Sequence, residues 1–264
     1  MSGSVTCQRS AGLARVTIAN SDKYNAMTRA MWRQLRVVFE EIQQDATLLC
    51  VVVRGPDHFC AGGDISEYAG FRFQQTSLRD FHENDVWGGL QAMLNCDVPL
   101  LAQIEGNCMG AGVEIASCCD VRIASHNARF GAPIAKLGFP MAPREAALVL
   151  RAVGERTARE MLLTAAVLNA DSMLQRGFLN QVVAEPELDS AVATCVARVL
   201  SLAPQAARMN KQALRALAPL DISASAAGLI AQAYDYADSA EHREGVGAFV
   251  EKRPPRFVTI PPQS

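Results

Sequence analysis

The feature that most constrains the fold of this chain is a unit that occurs twice. A short, unbroken apolar run leads into a loop of small residues, and the loop opens a helical pattern. The first run is Leu48 to Val53, ended by Gly55-Pro56 and followed by His58-Phe59-Cys60-Ala61-Gly62-Gly63-Asp64-Ile65. The second is Pro99-Leu100-Leu101-Ala102-Gln103-Ile104, followed by Glu105-Gly106-Asn107-Cys108-Met109-Gly110-Ala111-Gly112-Val113-Glu114. Apolar runs of this length without polar alternation fit strands covered on both faces. Repeated strand-then-helix units predict an α/β fold with right-handed crossovers.

The rest of the chain extends this pattern and then leaves it. Leu13 to Ile18 alternates and ends at Asn20-Ser21-Asp22, a strand running into a turn. Thr28 caps a helix carrying Met31, Leu35, Val38, Phe39 and Ile42 at helical spacing. A helical stretch from about Leu78 to Leu94 precedes the second buried run, and Cys119 to Ala124 reads as a further strand. After Pro143 apolar residues follow helical spacing through 144–153, 155–163, 187–202, 204–217 and 222–237, and only Leu179 to Val183 looks like a strand. Glu241 to Val250 is a last helix, stopped by Arg253-Pro254-Pro255. The expected organisation is an α/β core over 1–200 and a helical C-terminal region over 201–264, packed on the core or on a neighbouring subunit.

Composition removes several classes of function. A formal net charge of −2 over 264 residues leaves no basic excess for nucleic acid. No run of 18 apolar residues occurs, so no membrane span is expected. The eight cysteines include the adjacent pair Cys118 and Cys119 but no Cys-x-x-Cys. They are expected as reduced, packed thiols, with no metal site because His and Cys do not fall at ligand spacing. Met1 to Ser10 is polar, without the apolar segment of a secretory signal, and a cytoplasmic compartment is the expectation.

The two loops are where chemistry is expected. Amide N–H groups at a strand-to-helix turn face outward and are partly positive, which suits a developing oxyanion. Small residues let another molecule approach the backbone closely. Two such loops on neighbouring strands can offer one N–H each to the same oxygen. Taken alone, each loop is also what a tight connection looks like, and Glu114 is also what a first-turn acid looks like; spacing does not separate these. A dinucleotide or P-loop reading fails, because neither loop has Gly-x-Gly-x-x-Gly or a Walker lysine.

Beyond these local readings, the sequence resembles the enoyl-CoA hydratase/isomerase (crotonase) family. Phe59-Cys60-Ala61-Gly62-Gly63-Asp64-Ile65 is similar to the family's Ala-Gly-x-Asp-(Ile/Leu) segment. Gly106 to Glu114 is similar to its Gly-x-x-x-Gly-Gly-Gly-x-(Glu/Asp) segment. The resemblance continues through Cys119 to Ala124, Arg129-Phe130-Gly131-Ala132-Pro133, Ala152-Val153-Gly154, Ala170-Asp171 and Gly177-Phe178-Leu179-Asn180. Asp22 to Met27 upstream and Glu244 to Arg253 at the end complete it, so essentially the whole chain is covered.

The resemblance implies a ββα spiral core followed by C-terminal helices that assemble a homotrimer or a dimer of trimers. It implies an acyl-CoA thioester as substrate, with coenzyme A entering as part of it and no separate cofactor, in a setting such as fatty acid metabolism. The thioester oxygen would lie between the N–H groups of Gly63 and Ala111, with Glu114 as acid/base. Lys23, Ala61, Gly62, Asp64, Ile65 and Lys252 would hold the coenzyme A portion. The nominal reaction is addition of water to a 2-enoyl-CoA. Alternatives are isomerisation, decarboxylation, thioester hydrolysis, or acyl-CoA binding without catalysis.

One departure from the family pattern bears on the mechanism. The hydratases carry a second glutamate after Phe-Gly-x-Pro, and Ile134 stands there in this chain. An apolar side chain cannot move a proton, so the two-glutamate mechanism is not available in its usual form. Leu137 to Glu145 also departs from the family segment, which implies a reshaped acyl pocket. Glu145 reads first as a helix-start charge, with a substitute acid as the alternative reading. His58 and His126 read as ordinary loop histidines and Asp64 as a helix cap. Tyr68, Trp87, Met93 and Phe139 fit either an acyl tunnel or plain core, and Tyr234 and Tyr236 read as residues of the helical tail, with contact of one of them with a pocket as the alternative.

Overall fold

The computed structural model describes residues 3–217 and 232–257. Its strands are β1 (Ser4–Ser10), β2 (Leu13–Ala19), β3 (Cys50–Arg54), β4 (Leu100–Ile104), β5 (Asn107–Met109), β6 (Val121–Ser125), β7 (Arg129–Gly131), β8 (Val167–Asn169) and β9 (Gln181–Val183). The helices are α1 (Arg29–Gln44), α2 (Gln75–Asp80), α3 (Trp87–Asn95), α4 (Ala111–Ser117) and α5 (Pro143–Val153). They continue with α6 (Glu155–Leu163), α7 (Ala170–Gln175), α8 (Leu188–Leu200), α9 (Pro204–Leu217) and α10 (Ala240–Val250).

The main sheet runs β1-β2-β3-β4-β6-β9, parallel throughout except for the antiparallel β1 edge. Its central strands are apolar without interruption because both faces are covered. Cys50, Val52, Leu101 and Ile123 meet Leu188, Val192 and Val196 of α8. Val51, Val53, Leu100, Ala102 and Ile104 face the larger core built on α1, α3 and α4. Helix α1 shows how that core is assembled. Thr28 Oγ1 accepts from the Met31 N–H at 3.1 Å, and Met31, Leu35, Phe39 and Ile42 then line one buried stripe. Each such side chain contributes about 1.5–3 kcal/mol by leaving water.

The structure corrects the expected elements in four places. β1 was not foreseen, because as an edge strand it buries only Val5 and shows water mostly polar residues. The three-residue strands β5, β7 and β8, which form a second small sheet, are too short to leave a periodic signal. The stretch expected over 78–94 is helical over 75–95, but its middle, Phe81–Val86, is a π-helix. Of the helix expected over 222–237, residues 222–231 lie outside the described residues and 232–238 form turns.

Candidate active site

Strands β3 and β4 pair in parallel, Val51 opposite Leu100 and Arg54 opposite Gln103, so their C-terminal ends release the two small-residue loops side by side. The loops are then stitched together. The Cys60 N–H donates to Asn107 O and the Met109 N–H to Cys60 O, both at 2.8 Å. On its other flank the first loop is tied to the turn before α1. There the Ala61 N–H donates to Tyr24 O at 3.0 Å, Met27 N–H to Gly62 O at 2.8 Å and Asp64 N–H to Met27 O at 2.8 Å. This pattern uses the amides of residues 60, 61 and 64 and passes over Gly63. In the second loop the Gly110 N–H donates to Gly131 O and the Glu114 N–H to Gly110 O. The N–H groups of Gly63 and Ala111 have no acceptor among the described residues.

Two glycines in the second loop are dictated by geometry. Gly110 turns the chain into α4 at φ 46°, a value that favours glycine. A Cβ on Gly112 would sit 2.5 Å from Cys60 O, so α4 can approach the first loop this closely only without a side chain there. His58 also acts as a strap: its Nδ1 accepts from the Asn107 N–H at 3.0 Å, and its ring stands edge-on to Tyr24.

Both loops open onto a cleft of about 680 Å³. Gly63, Ala111 and Glu114 line it, as do Ala61, Gly62, Asp64 and Ile65. Lys23 and Lys252, both exposed side chains, line it too. Lys23 Nζ donates to Asp64 Oδ2 at 2.7 Å and to Ser66 Oγ at 2.6 Å. Asp64 is the helix cap that was expected: its Oδ1 accepts from the Ser66 N–H at the start of a 3₁₀ helix.

Glu114, in the first turn of α4, is buried and accepts no hydrogen bond from the described residues. Burial pushes its carboxyl up to about 8; the negative charge of Glu145 adds to this, and the Arg72 guanidinium opposes it. Burial thus favours the neutral acid form of Glu114. Ile134 lines the same cleft and offers it only hydrocarbon.

The reading of Glu145 as a helix-start charge holds for its position, and the structure adds that the side chain is buried in the cleft. It stands in the first turn of α5 and is only 2 % exposed. Its Oε1 lies 3.0 Å from His82 Nδ1. Burial lowers the His82 pKa; the Glu145 carboxylate works against this and Arg72 with it, and the net shift is downward. Arg72 is buried as well, its guanidinium carbon 4.2 Å from the Tyr68 ring centre and 3.9 Å from that of Phe139. It donates to Tyr236 Oη at 3.1 Å. Among the described residues, Arg72 Nε and His82 Nε2 are buried without hydrogen-bond partners.

Of the other candidates, Tyr68 and Phe139 line the cleft, whereas Met93 lies in the core and Trp87 packs against it. Tyr236 contacts Arg72, while Tyr234 donates to Glu83 at 2.8 Å and stacks on His82. His126 is exposed beside Asp171, away from the cleft. All eight cysteines are free thiols. Arg72 and His82 were not anticipated from sequence. His82 does carry a signal, since Leu78, His82, Val86 and Leu90 recur every four residues along one buried stripe. Arg72 had only its place between Phe71 and Phe73 to mark it.

Comparison with known proteins defines the class first. A methylmalonyl-CoA decarboxylase superposes with a TM-score of 0.85 at 23 % identity, covering 96 % of this chain and 98 % of that one, and shows the crotonase fold. The family model described as enoyl-CoA hydratase/isomerase matches residues 8–259. This chain belongs to the enoyl-CoA hydratase/isomerase family, enzymes acting on acyl-CoA thioesters. It is similar to a short-chain-enoyl-CoA hydratase of Clostridium acetobutylicum, 31 % identical over 94 % of this chain and 95 % of the relative. It is also similar to a 2,3-dehydroadipyl-CoA hydratase of Escherichia coli, at 33 % identity over 88 % and 90 %. An enoyl-CoA hydratase/carnithine racemase structure from Magnetospirillum magneticum matches with a TM-score of 0.79 and 32 % identity, over 96 % and 95 % of the two chains.

Proposed function

We propose that this chain adds water across the double bond of a 2-enoyl-CoA, holding the thioester oxygen between the N–H groups of Gly63 and Ala111 and using Glu114 as an acid/base. The observation that carries this reading is the convergence, on one cleft, of two amides without acceptors among the described residues and a buried carboxyl group whose neutral form burial favours. Polarising a thioester carbonyl stabilises the enolate formed when an oxygen nucleophile adds at Cβ. A carboxylic acid beside that enolate can then protonate Cα. Lys23 and Lys252 are suited to the phosphates of coenzyme A as point charges, with the backbone of Ala61, Gly62, Asp64 and Ile65 around the pantetheine arm. The two related hydratases support the same reaction class.

Loss of absorbance from crotonyl-CoA tests the reading directly. Glu114→Ala is expected to slow it by about 10²–10⁴, the usual contribution of a positioned acid/base. An unchanged rate refutes the role of Glu114. Calorimetric binding of acyl-CoA by a wild type that turns over no 2-enoyl-CoA identifies a carrier instead.

We further infer a homotrimer or dimer of trimers assembled through the C-terminal helices. α9 turns its cations toward the core: Arg208 donates to Asp45 O and Leu48 O, Lys211 to Val98 O, and Arg215 to Leu94 O and Asp97. Its Met209, Leu214 and Leu217 remain 57 %, 68 % and 82 % exposed. Apolar residues clustered outward on such a helix favour a protein partner. Leu214→Glu should convert the assembly to smaller species by light scattering, and an unchanged mass would exclude α9 from the interface.

A further inference from the structure

A hydration step has to take a proton from water as well as deliver one to carbon, and Ile134 leaves Glu114 without the usual second carboxylate. The cleft nevertheless contains one. Glu145 reaches it from the start of α5, eleven residues further along the chain than position 134. Three observations distinguish it from a structural ion pair. Its Oε1 is engaged by His82, yet no hydrogen bond to Oε2 is made among the described residues, and Oε2 is not among the atoms sealed from solvent. The imidazole holding it is locked by packing: the His82 ring stacks on Tyr234 at 5.5 Å and 21° and meets Phe81 edge-on. The π-helical segment that presents His82 is a distortion commonly placed at functional sites.

Resting on the hydratase reading above, we propose that Glu145, oriented by His82, is the second proton-transfer carboxylate of this site, working with Glu114 in place of a carboxylate at position 134. Water oxygen forms its bond to Cβ while one water proton passes to the Glu145 carboxylate. The carbon–carbon π pair moves to give the enolate, whose oxygen rests on the Gly63 and Ala111 amides. The Glu114 carboxylic acid then donates its proton to Cα and the thioester carbonyl re-forms. The two carboxyl groups together hold one proton before and after, and transfer from Glu145 to Glu114 through solvent resets them. His82 is a positioning residue: its Nδ1–H donates to Oε1, which leaves Oε2 for the water. Such an arrangement also accounts for a buried carboxylate beside a second one, which would otherwise only cost stability.

The experiment compares wild type with Glu145→Gln, Glu145→Asp and His82→Asn in crotonyl-CoA hydration and in binding of acetoacetyl-CoA, an enolisable ligand that needs no water. Glu145→Gln is expected to lower kcat by about 10²–10⁴ while acetoacetyl-CoA affinity stays within about threefold of wild type. Glu145→Asp should recover part of that loss. His82→Asn should lower kcat without raising KM and move the acid limb of the pH–rate profile, which loss of packing alone would not do. Wild-type kcat in Glu145→Gln overturns the role of Glu145 and leaves the hydratase reading standing. Loss of acetoacetyl-CoA affinity together with kcat makes Glu145 a structural residue and overturns it as well. A wild type that binds acetoacetyl-CoA but hydrates no 2-enoyl-CoA defeats the hydratase reading, and the present proposal falls with it.

Discussion

Gly112→Ala is a sharp test of how the two loops form one site. The added Cβ would lie 2.5 Å from Cys60 O and 3.1 Å from Cys60 Cβ, where ordinary contact begins at 3.4 Å. Either α4 or the first loop must therefore retreat by about 0.9 Å, or share that shift. Overpacking of this kind costs about 1–3 kcal/mol, a fraction of the roughly 5–15 kcal/mol that holds a typical domain together. The protein should stay folded. Activity is more exposed, because the retreat separates the Ala111 amide and Glu114 from Gly63, and misplacement by about 1 Å typically costs about 10²-fold in rate. The expected result is a urea midpoint lowered by a modest amount with an unchanged slope, alongside a roughly hundredfold drop in crotonyl-CoA hydration. A variant with wild-type rate and wild-type stability would refute the claim that contact with Cys60 sets the start of α4.

Two further outcomes follow from the charges in the cleft. The Glu114 carboxyl is raised from its ordinary 4.5 to about 8, so between those pH values the native state keeps a proton that the unfolded chain has released. Its contribution to stability is fully present below about pH 4.5 and is lost as pH rises through about 8. Glu114→Gln should flatten that part of the stability–pH profile measured by urea unfolding; an unaltered slope would mean Glu114 ionises normally. Arg72→Met removes the charge that opposes the rise at Glu114 and three ring contacts, each worth about 0.5–2 kcal/mol. The alkaline limb of the pH–rate profile should move upward and the melting temperature fall, and a fixed limb would show that Arg72 does not act on Glu114.

Much of this molecule is legible along the chain because the relevant physics is local. An apolar run bounded by Gly55-Pro56, a cap at Thr28 with a helical stripe behind it, and a glycine-rich turn ahead of Glu114 each declare themselves within a few residues. The same locality places Gly63 on the loop after β3 and Ala111 and Glu114 at the start of α4 after the second loop, and the pairing of β3 with β4 brings these segments together. β1 and the small second sheet escaped because a half-exposed edge and three-residue strands carry no periodic pattern.

The sequence, read with its family resemblance, therefore determined the class of fold and the paired loops, and it marked Glu114 as the expected acid and Ile134 as the apolar residue where a second acid would be expected. Tertiary structure decided what surrounds that acid. A first-turn glutamate has the same local signature whether it is solvated or buried, and only the docking of α5 over the cleft makes Glu145 the latter. His82 is 63 positions away from Glu145 in sequence and meets it at 3.0 Å, a contact with no local cause. The burial of Arg72 against the Tyr68 and Phe139 rings is likewise a product of packing. Desolvation and long-range contact raise the Glu114 carboxyl and lower the His82 imidazole, and both causes are properties of the folded chain rather than of any segment of it.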